Sequence, residues 1–530
     1  MPIIDVSDVS YAFPGGWPLF EGVTFRVPHG HHAALVGPNG IGKTTLLKVL
    51  AGVEPAGTGS ALNVDGRLGY MRQFVANPEE PISVRDFLVS FAARPLAEAG
   101  AGLKTCEERL AGGDTSEDAQ LAYAHALAGW DEAGGYTAEV LWDTCTVAAF
   151  DIPYADTADR HVDTLSGGEQ KRLALEVLFR SPFDLLLLDE PDNYLDITGK
   201  TWLEEQIRES PKTILFVSHD RALLAGTATR VITLEAHGAW VHPSGYATYA
   251  QEREARMERI DDEHRRYNEK HAQLIAYMKE MKRKAAYNDA MASRARAAVT
   301  RVRMFEERQA PPEKAAAQNV KMRIDGGRTG KLALRLRGFG ITGLIQPFDT
   351  ELIFGERVGV IGPNGTGKTH FLRLLAGEEV SHTGEWQLGA RVRPGLFAQL
   401  HHRPELAGVS VLEVLRNTGK TMSEAMSTLK RYELERASGN PFELLSGGQQ
   451  ARFQLLLMEI ESPTMLLLDE PTDNLDVHSA EALEDALTRY EGTVVAVTHD
   501  RWFMRLMDRF LSFEQDGSVR ELLESPYPVG

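Results

Sequence analysis

Four short motifs occur twice, in one order and at matching spacings, and this repetition constrains the fold more than any other feature of the chain. GPNGIGKTT at 37–45 returns as GPNGTGKTH at 362–370. LSGGEQKR at 165–172 returns as LSGGQQAR at 445–452, LLLLDEP ending at Pro191 as MLLLDEP ending at Pro471, and VSHDR at 217–221 as VTHDR at 497–501. Leu165 precedes Asp189 by 24 residues, as Leu445 precedes Asp469; Glu190 precedes His219 by 29, as Glu470 precedes His499. Two copies of one domain follow. One interval differs: Gln73 lies 92 residues before Leu165, but Gln399 only 46 before Leu445. The first copy therefore carries about 46 extra residues, within about 76–156, where the spacing of Leu, Ala and aromatic residues predicts helices. Gly112-Gly113 and Gly134-Gly135 are expected to break them into hairpins, either as mere packing or as a docking arm.

Between the copies, residues 246–310 hold no Gly and no Pro, although the chain's 48 Gly and 25 Pro lead one to expect about nine in that length. The stretch is rich in Glu, Arg, Lys, Ala and Met, and predicts long helices. Breakers return at Pro311-Pro312 and Gly326-Gly327. The expected organisation is a first domain at 1–244, an antiparallel helical hairpin at 245–325 with its tip near 287–291, and a second domain at 326–530. A helix over 246–284 would run about 58 Å, more than two adjacent domains need as a spacer. Charge singles out the same segment. The chain is acidic, with net charge −18, yet between 279 and 303 eight positive residues (Lys279, Lys282, Arg283, Lys284, Arg294, Arg296, Arg301, Arg303) oppose only Glu280 and Asp289. Such a stripe suits RNA phosphates, and Tyr277, Tyr287 and Met291 stand near the tip to meet bases or sugars. The blander alternative is a solvated spacer, which leaves the length unexplained.

The repeated motifs have a common chemistry. Each GPNGxGKT follows an apolar strand and opens an apolar helix, the setting a phosphate-binding loop requires. Gly37, Asn39, Gly40, Gly42 and Thr45, with Gly362, Asn364, Gly365, Gly367 and His370, form the two loops, whose backbone N–H groups curl around phosphate at a helix N-terminus. Lys43 and Lys368 are expected to reach the β- and γ-phosphates, and Thr44 and Thr369 to ligate Mg²⁺. Asp189 and Asp469, ending buried strands, are expected to hold Mg²⁺ through water; Glu190 and Glu470 to orient and polarise the attacking water. His219 and His499 follow apolar strands at the edge where open α/β sheets bind ligands, within reach of the γ-phosphate. Gln73 and Gln399 lie 30 and 31 residues past the lysines and are placed to sense metal and water. Ser166, Gly167 and Gly168, with Ser446, Gly447 and Gly448, make a second kind of anion-binding helix N-terminus, which one domain cannot easily fold onto the nucleotide of its own loop.

Together these motifs resemble the ATP-binding-cassette superfamily over 1–239 and 335–513. The resemblance implies an α/β fold: two P-loop cassettes, here joined by a long α-helical hairpin, facing head to tail with two ATPs and Mg²⁺ between them. Ser446, Gly447 and Gly448 would complete the site built on Lys43, and Ser166, Gly167 and Gly168 the site built on Lys368. An aromatic stacked on adenine would be Tyr11 in the first copy, with Phe339 as its counterpart in the second. Tandem cassettes with a long charged hairpin resemble the ABC-F proteins. These typically read DEPTNHLD where the two copies read DEPDNYLD and DEPTDNLD, so Asp192, Tyr194, Asp473 and Asn474 depart, and two of them add negative charge near the interface. The likeness implies that the hairpin enters the ribosomal tRNA exit site toward peptidyl-tRNA and the peptidyl-transferase centre. There Lys282, Arg283, Lys284, Tyr287, Arg294, Arg296, Arg301 and Arg303 would meet RNA, in regulating translation or protecting ribosomes from antibiotics. The competing reading is the ATP-hydrolysing subunit of a membrane transporter with separate spanning subunits. Only Cys106 and Cys145 are present, no basic-then-apolar leader opens the chain, and no run nears the ~18 apolar residues of a membrane span. A cytoplasmic monomer with an intramolecular cassette pair is the expectation.

Overall fold

A computed structural model describes residues 2–13, 15–57, 61–72, 82–287, 291–309, 320–398 and 406–527. The first copy contains nine strands: β1 (Pro2–Ala12), β2 (Pro18–Pro28), β3 (His32–Val36), β4 (Ala61–Val64), β5 (Leu68–Met71), β6 (Leu185–Asp189), β7 (Thr213–Val217), β8 (Arg230–Leu234) and β9 (Ala239–His242). The second repeats them as β10 (Leu332–Ile341), β11 (Phe348–Ile353), β12 (Arg357–Ile361), β13 (His382–Leu388), β14 (Pro394–Phe397), β15 (Met465–Asp469), β16 (Thr493–Val497), β17 (Arg509–Phe513) and β18 (Val519–Leu522). Each copy has a three-stranded antiparallel sheet (β2-β1-β4; β11-β10-β13). Each also has a six-stranded sheet, β5-β6-β7-β3-β8-β9 or β14-β15-β16-β12-β17-β18, parallel but for its last strand. The central strands β3, β6, β7, β15 and β16 are buried at every position, which is why they read as unbroken apolar runs rather than alternating ones.

Each six-stranded sheet is covered on both faces. The three-stranded sheet and the phosphate-loop helix cover one, with Leu46, Leu47 and Phe25 packed on Leu185 and Leu187, and Phe371 and Phe339 packed on Leu467 and Leu511. The other face meets the helices Gly167–Arg180 and Gly447–Glu461. The insertion in the first copy is helical, as expected: Arg94–Ala111, Glu117–Glu132 and Gly135–Phe150, parted at Gly112-Gly113 and at Gly134. Gly113 and Gly134 take φ of +92° and +84°, conformations that a Cβ would strain. The hairpin packs through Trp130 against Trp142, ring centroids 6.0 Å apart, and the backbone at Gly135 lies so close that a Cβ there would sit 2.1 Å from the Trp130 ring.

The inter-copy segment forms the expected pair of helices, with unequal arms. The outgoing arm, Tyr246–Ala285, has 40 residues and runs about 60 Å; the return arm, Ala292–Gln309, has 18. Tyr267 stacks on Phe305 at 4.9 Å, and Met281, Ala295 and Ala298 bury one another near the tip. Tyr287 is 90% exposed there; Asn288-Asp289 lies outside the described residues. At the root Tyr249 stacks on Trp240 and Tyr246, and Arg256 pairs with Glu235 of the first copy, its Nη2 at 3.1 Å. One turn away, Arg253 Nη1 donates to His478 Nδ1 of the second copy at 3.3 Å, so the long helix is seated on both domains. Val320, Met322 and Ile324 then lie in the second copy's core. No helix among the described residues is long and apolar enough to cross a membrane.

Candidate functional site

Both phosphate loops have the geometry their glycines predict. A Cβ on Gly37 would meet the Leu234 carbonyl oxygen at 2.9 Å, and one on Gly362 the Phe513 carbonyl oxygen at 2.1 Å, so only glycine lets the loop lie against β8 or β17. Gly42 and Gly367, with φ of +106° and +96°, start the helices Lys43–Leu50 and Lys368–Leu375. Lys43 Nζ folds back to the carbonyls of Gly37 and Pro38 at 2.8 and 3.1 Å, and Lys368 Nζ to those of Gly362 and Pro363, both at 2.7 Å. The ammonium thus caps the loop it belongs to. Burial lowers the pKa of both lysines, that of Lys43 to about 8, against the pull of the nearby carboxylates.

The strands β6 and β15 end at Asp189 and Asp469, each buried beside the loop. Thr44 Oγ1 donates to Asp189 Oδ1 at 3.2 Å, and Thr369 hydrogen-bonds Asp469. Asp189 Oδ2 and Asp469 Oδ1 are buried without a hydrogen-bond partner among the described residues. Burial, aided by the neighbouring glutamate, raises both carboxyls to about 6. A hard cation is what such a threonine–carboxylate pair lacks, and the donor set fits Mg²⁺.

Glu190 and Glu470 follow with φ of +49° and +46°, a left-handed conformation that costs a glutamate roughly 1–3 kcal/mol and recurs at reactive sites. Their surroundings differ. Asn193 Nδ2 donates to Glu190 Oε2 at 2.7 Å. Glu470 Oε2 instead accepts the backbone N–H of His499 at 2.9 Å, with the His499 ring 3.4 Å from its other oxygen. Burial raises the pKa of Glu470, opposed by Lys200 and Lys368. Burial and the loop lysines depress both histidines, His219 to about 3, so each imidazole is neutral. His219 Nε2 and both ring nitrogens of His499 are buried with no hydrogen-bond partner among the described residues.

Ser166 and Ser446 begin helices through reciprocal capping boxes, with Glu169 and Gln449 reaching back to the serine N–H. This satisfies the ordinary structural reading of S-x-x-E/Q. It also leaves Gly167, Gly168, Gly447 and Gly448 presented outward. They face the opposite copy. A cavity of about 380 Å³ is walled by Ser166, Gly167 and Gly168 of the first copy and by Asn364, Lys368, Asp469, Glu470 and His499 of the second. The reciprocal contact repeats at the other end: a Cβ on Gly448 would sit 2.3 Å from Asn39 Nδ2. Asn39 donates to the carbonyl of Asn474 at 3.2 Å, as Asn364 does to that of Tyr194 at 3.1 Å. Farther out, Arg221 pairs with Glu484 and Arg501 with Glu204, so residues 280 positions apart exchange partners across a pseudo-twofold interface.

Phe339 is fully buried among Phe348, Phe371 and Leu511, and offers no face to a base. Its position in the β10 core pattern, facing the phosphate-loop helix, decides this. Tyr11 is half-buried, its hydroxyl 3.4 Å from Glu54. Gln73 and Gln399 lie outside the described residues. Sequence reasoning missed Lys200, which lies in the wall of the cavity at the second phosphate loop, and the Arg–Glu exchange; both depend on contacts between copies.

Two phosphate loops, each completed by the other copy's capped serine helix, define a tandem ATP-binding-cassette protein of the ATPase class. The family model described as ABC transporter matches residues 20–193 and 345–473. The chain is 48% identical over 550 residues to "Antibiotic resistance protein" of Mycobacteroides abscessus, spanning 99% of each. It is 30% identical to "Energy-dependent translational throttle protein EttA" of Mycobacterium tuberculosis, over 94% of this chain and 89% of that one. A solved complex of an archaeal ribosomal stalk protein with the archaeal ribosome recycling factor aABCE1 shares the fold at TM-score 0.58 and 19% identity, covering 97% of this chain and 89% of that one. The chain belongs to the ABC-F family.

Proposed function

We propose that this protein binds the ribosome and hydrolyses ATP to ADP and phosphate at two sites between its cassettes, modulating translation or protecting ribosomes from antibiotics. It would act in the cytoplasm as a monomer. The domains divide at 1–244, 245–325 and 326–530. Lys43 and Lys368 hold the phosphates, and Ser446, Gly447 and Gly448 or Ser166, Gly167 and Gly168 close over them from the other side. Thr44, Asp189 and Gln73, or Thr369, Asp469 and Gln399, would hold Mg²⁺, which supplies charge neutralisation at the phosphates. Glu190 and Glu470 orient and polarise the attacking water. His219 and His499, kept neutral, can donate one hydrogen bond to the γ-phosphate without contributing charge. Tyr11 offers a ring to the adenine.

The observation that carries the ribosomal reading is the hairpin. Its helix is rooted on both cassettes through Arg256–Glu235 and Arg253–His478, so closing or parting the cassettes must reorient it. Its far end carries Lys282, Arg283, Lys284, Arg294, Arg296, Arg301 and Arg303 beside the exposed Tyr287, on an otherwise acidic chain. A lever of about 60 Å with a basic end fits a folded RNA such as the tRNA exit site next to peptidyl-tRNA and the peptidyl-transferase centre. The names of the relatives, antibiotic resistance and translational throttle, agree with this use.

The test is sedimentation of lysate through sucrose with the Glu190→Gln, Glu470→Gln double variant, which retains ATP. Comigration with ribosomes is expected, and comigration with membranes would turn the reading toward a transporter subunit. In the same assay, Glu at 294, 296, 301 and 303 is expected to weaken ribosome binding with nucleotide affinity unchanged.

A further inference from the structure

Beside the reacting end of the sites the two copies differ, at the 280-residue offset, in three exchanges that involve a carboxylate or an ammonium. Asp192 stands where the second copy has Thr472, Asn193 where it has Asp473, and Lys200 where it has Ala480. In the first site the Asn193 amide donates to Glu190 at 2.7 Å. A carboxylate cannot make that bond, and Asp473 places a second negative group three residues from Glu470, in the same cavity. Lys200 lies in the wall of that cavity too, although it belongs to the first cassette. Its side chain is 8% exposed, and its Nζ is 3.0 Å from Asp220 Oδ2.

We propose that Lys200 is a positioning residue of the second ATP site, delivered across the interface as the counter-ion of Asp473, and that this makes the two sites chemically unequal. The inference rests on the two-site reading above. Lys200 stands 3.0 Å from Asp220 of its own cassette and shares the cavity wall with Asp473 of the other. Burial works against its charge, but Asp220, Asp473, Asp192 and Asp500 together raise its pKa. Parting the cassettes would take Lys200 out of the second site and away from Asp473. Closure over the second nucleotide therefore restores a charge balance that closure over the first, flanked by neutral Asn193 and Ala480, does not involve. Lys200 also favours the charged form of Glu470 directly, so its arrival bears on the group that must polarise the water.

The experiment places Lys200→Met in two backgrounds. In Glu190→Gln, turnover reports the second site; in Glu470→Gln, the first. Removing one partner of a buried charge group is expected to lower turnover in the Glu190→Gln background about tenfold or more, at least about fivefold beyond its effect in the other. Adding Asp473→Asn is expected to restore most of the loss, since both charges are then gone, and Lys200→Arg to keep most of the activity. Equal losses in both backgrounds, no loss in either, or no rescue by Asp473→Asn would overturn the proposal. Should Lys200→Met fail to fold, as thermal unfolding would show, Lys200→Arg and the Lys200→Met, Asp473→Asn pair carry the same comparison. If neither glutamate variant alone lowers turnover, the two-site reading itself fails, whatever Lys200 does.

Discussion

The two nucleotide sites share a skeleton and differ in what surrounds it. Shared are the groups whose place the backbone dictates: lysine folded onto its loop, threonine on aspartate, glutamate at positive φ, neutral histidine. Different are the side chains that steady the glutamate. Glu190 accepts from a neighbour in its own chain segment, Asn193, whereas Glu470 accepts the backbone N–H of His499. The interface differs likewise. Arg221 meets Glu484, lies 3.7 Å from Asp500 and sits 5.1 Å from the Trp502 ring. Arg501 meets Glu204, and the position equivalent to Trp502 is Ala222. Repetition of a fold thus fixes the reacting groups twice but leaves the surrounding contacts free to diverge, which is how one chain can own a fast site and a slow one.

The largest effect should come from removing the glutamates. Loss of a positioned general base costs about 10²–10⁴-fold, so the double Gln variant should lose that much phosphate release, while each single variant keeps the other site's rate. Identical residual rates in the two single variants would mean that the differences around Glu190 and Glu470 are kinetically silent. The interface arginines come next. Breaking a buried pair leaves an uncompensated charge, and Arg221→Met should weaken closure by about 3 kcal/mol, read as the ATP concentration needed to trap the double Gln variant. Arg501→Met should cost less on the same scale, because Arg501 pairs with Glu204 whereas Arg221 pairs with Glu484 and also lies 3.7 Å from Asp500. Equal shifts would break the asymmetry.

A third effect should be the same in both cassettes. Asp189 and Asp469, at about 6 when folded, lie above the ordinary value of 3.8. Between those values the folded protein binds more protons than the unfolded one. Their contribution to stability is therefore full below pH 3.8 and is lost as the pH rises through about 6. In metal-free protein, Asp189→Asn and Asp469→Asn should each flatten that decline and raise stability at pH 7 by about 1–3 kcal/mol, measured by urea unfolding, while abolishing the stabilisation by Mg²⁺ and ATP. A gain at one aspartate only would show that the metal-binding corners, too, have diverged.

Much of this was legible in the sequence because the reacting groups are local. A phosphate loop is a strand, a glycine turn and a helix contiguous in the chain, here His32–Val36 and Lys43–Leu50 with the turn between them, and its register with the DE strand recurs in both copies. The hairpin was legible because a helix lacking breakers has a length that can be counted, and the insertion because paired glycines end its helices. What was not legible depends on packing between distant segments. Phe339 looked available for stacking by its place upstream of a loop, but the strand register turns it into the core beside Phe371. Lys200, on the helix Ile197–Glu209, drew no reading from the sequence, since nothing local reveals that it lines a cavity with the other cassette. The signal was there in the difference between copies: Asp192, Asn193 and Lys200 against Thr472, Asp473 and Ala480.

The smallest expected effect turns on Tyr194. It takes φ +68°, whereas Asn474, its counterpart, has no positive φ. A tyrosine in the left-handed region costs about 1–2 kcal/mol, and asparagine, whose short amide bonds locally, visits it at lower cost. What the interface uses at this position is the backbone: the carbonyl that accepts from Asn364. The ring is 48% exposed and lies beside Gly167, where a Cβ would meet it at 3.4 Å. Tyr194→Asn should therefore keep the Asn364 contact and relieve strain, raising stability by about 0.5–1 kcal/mol and the melting temperature by a degree or two. If stability falls instead, the ring contributes more by covering Gly167 than the backbone loses by twisting, and the first cassette's departure at this position is a packing choice rather than a tolerated strain.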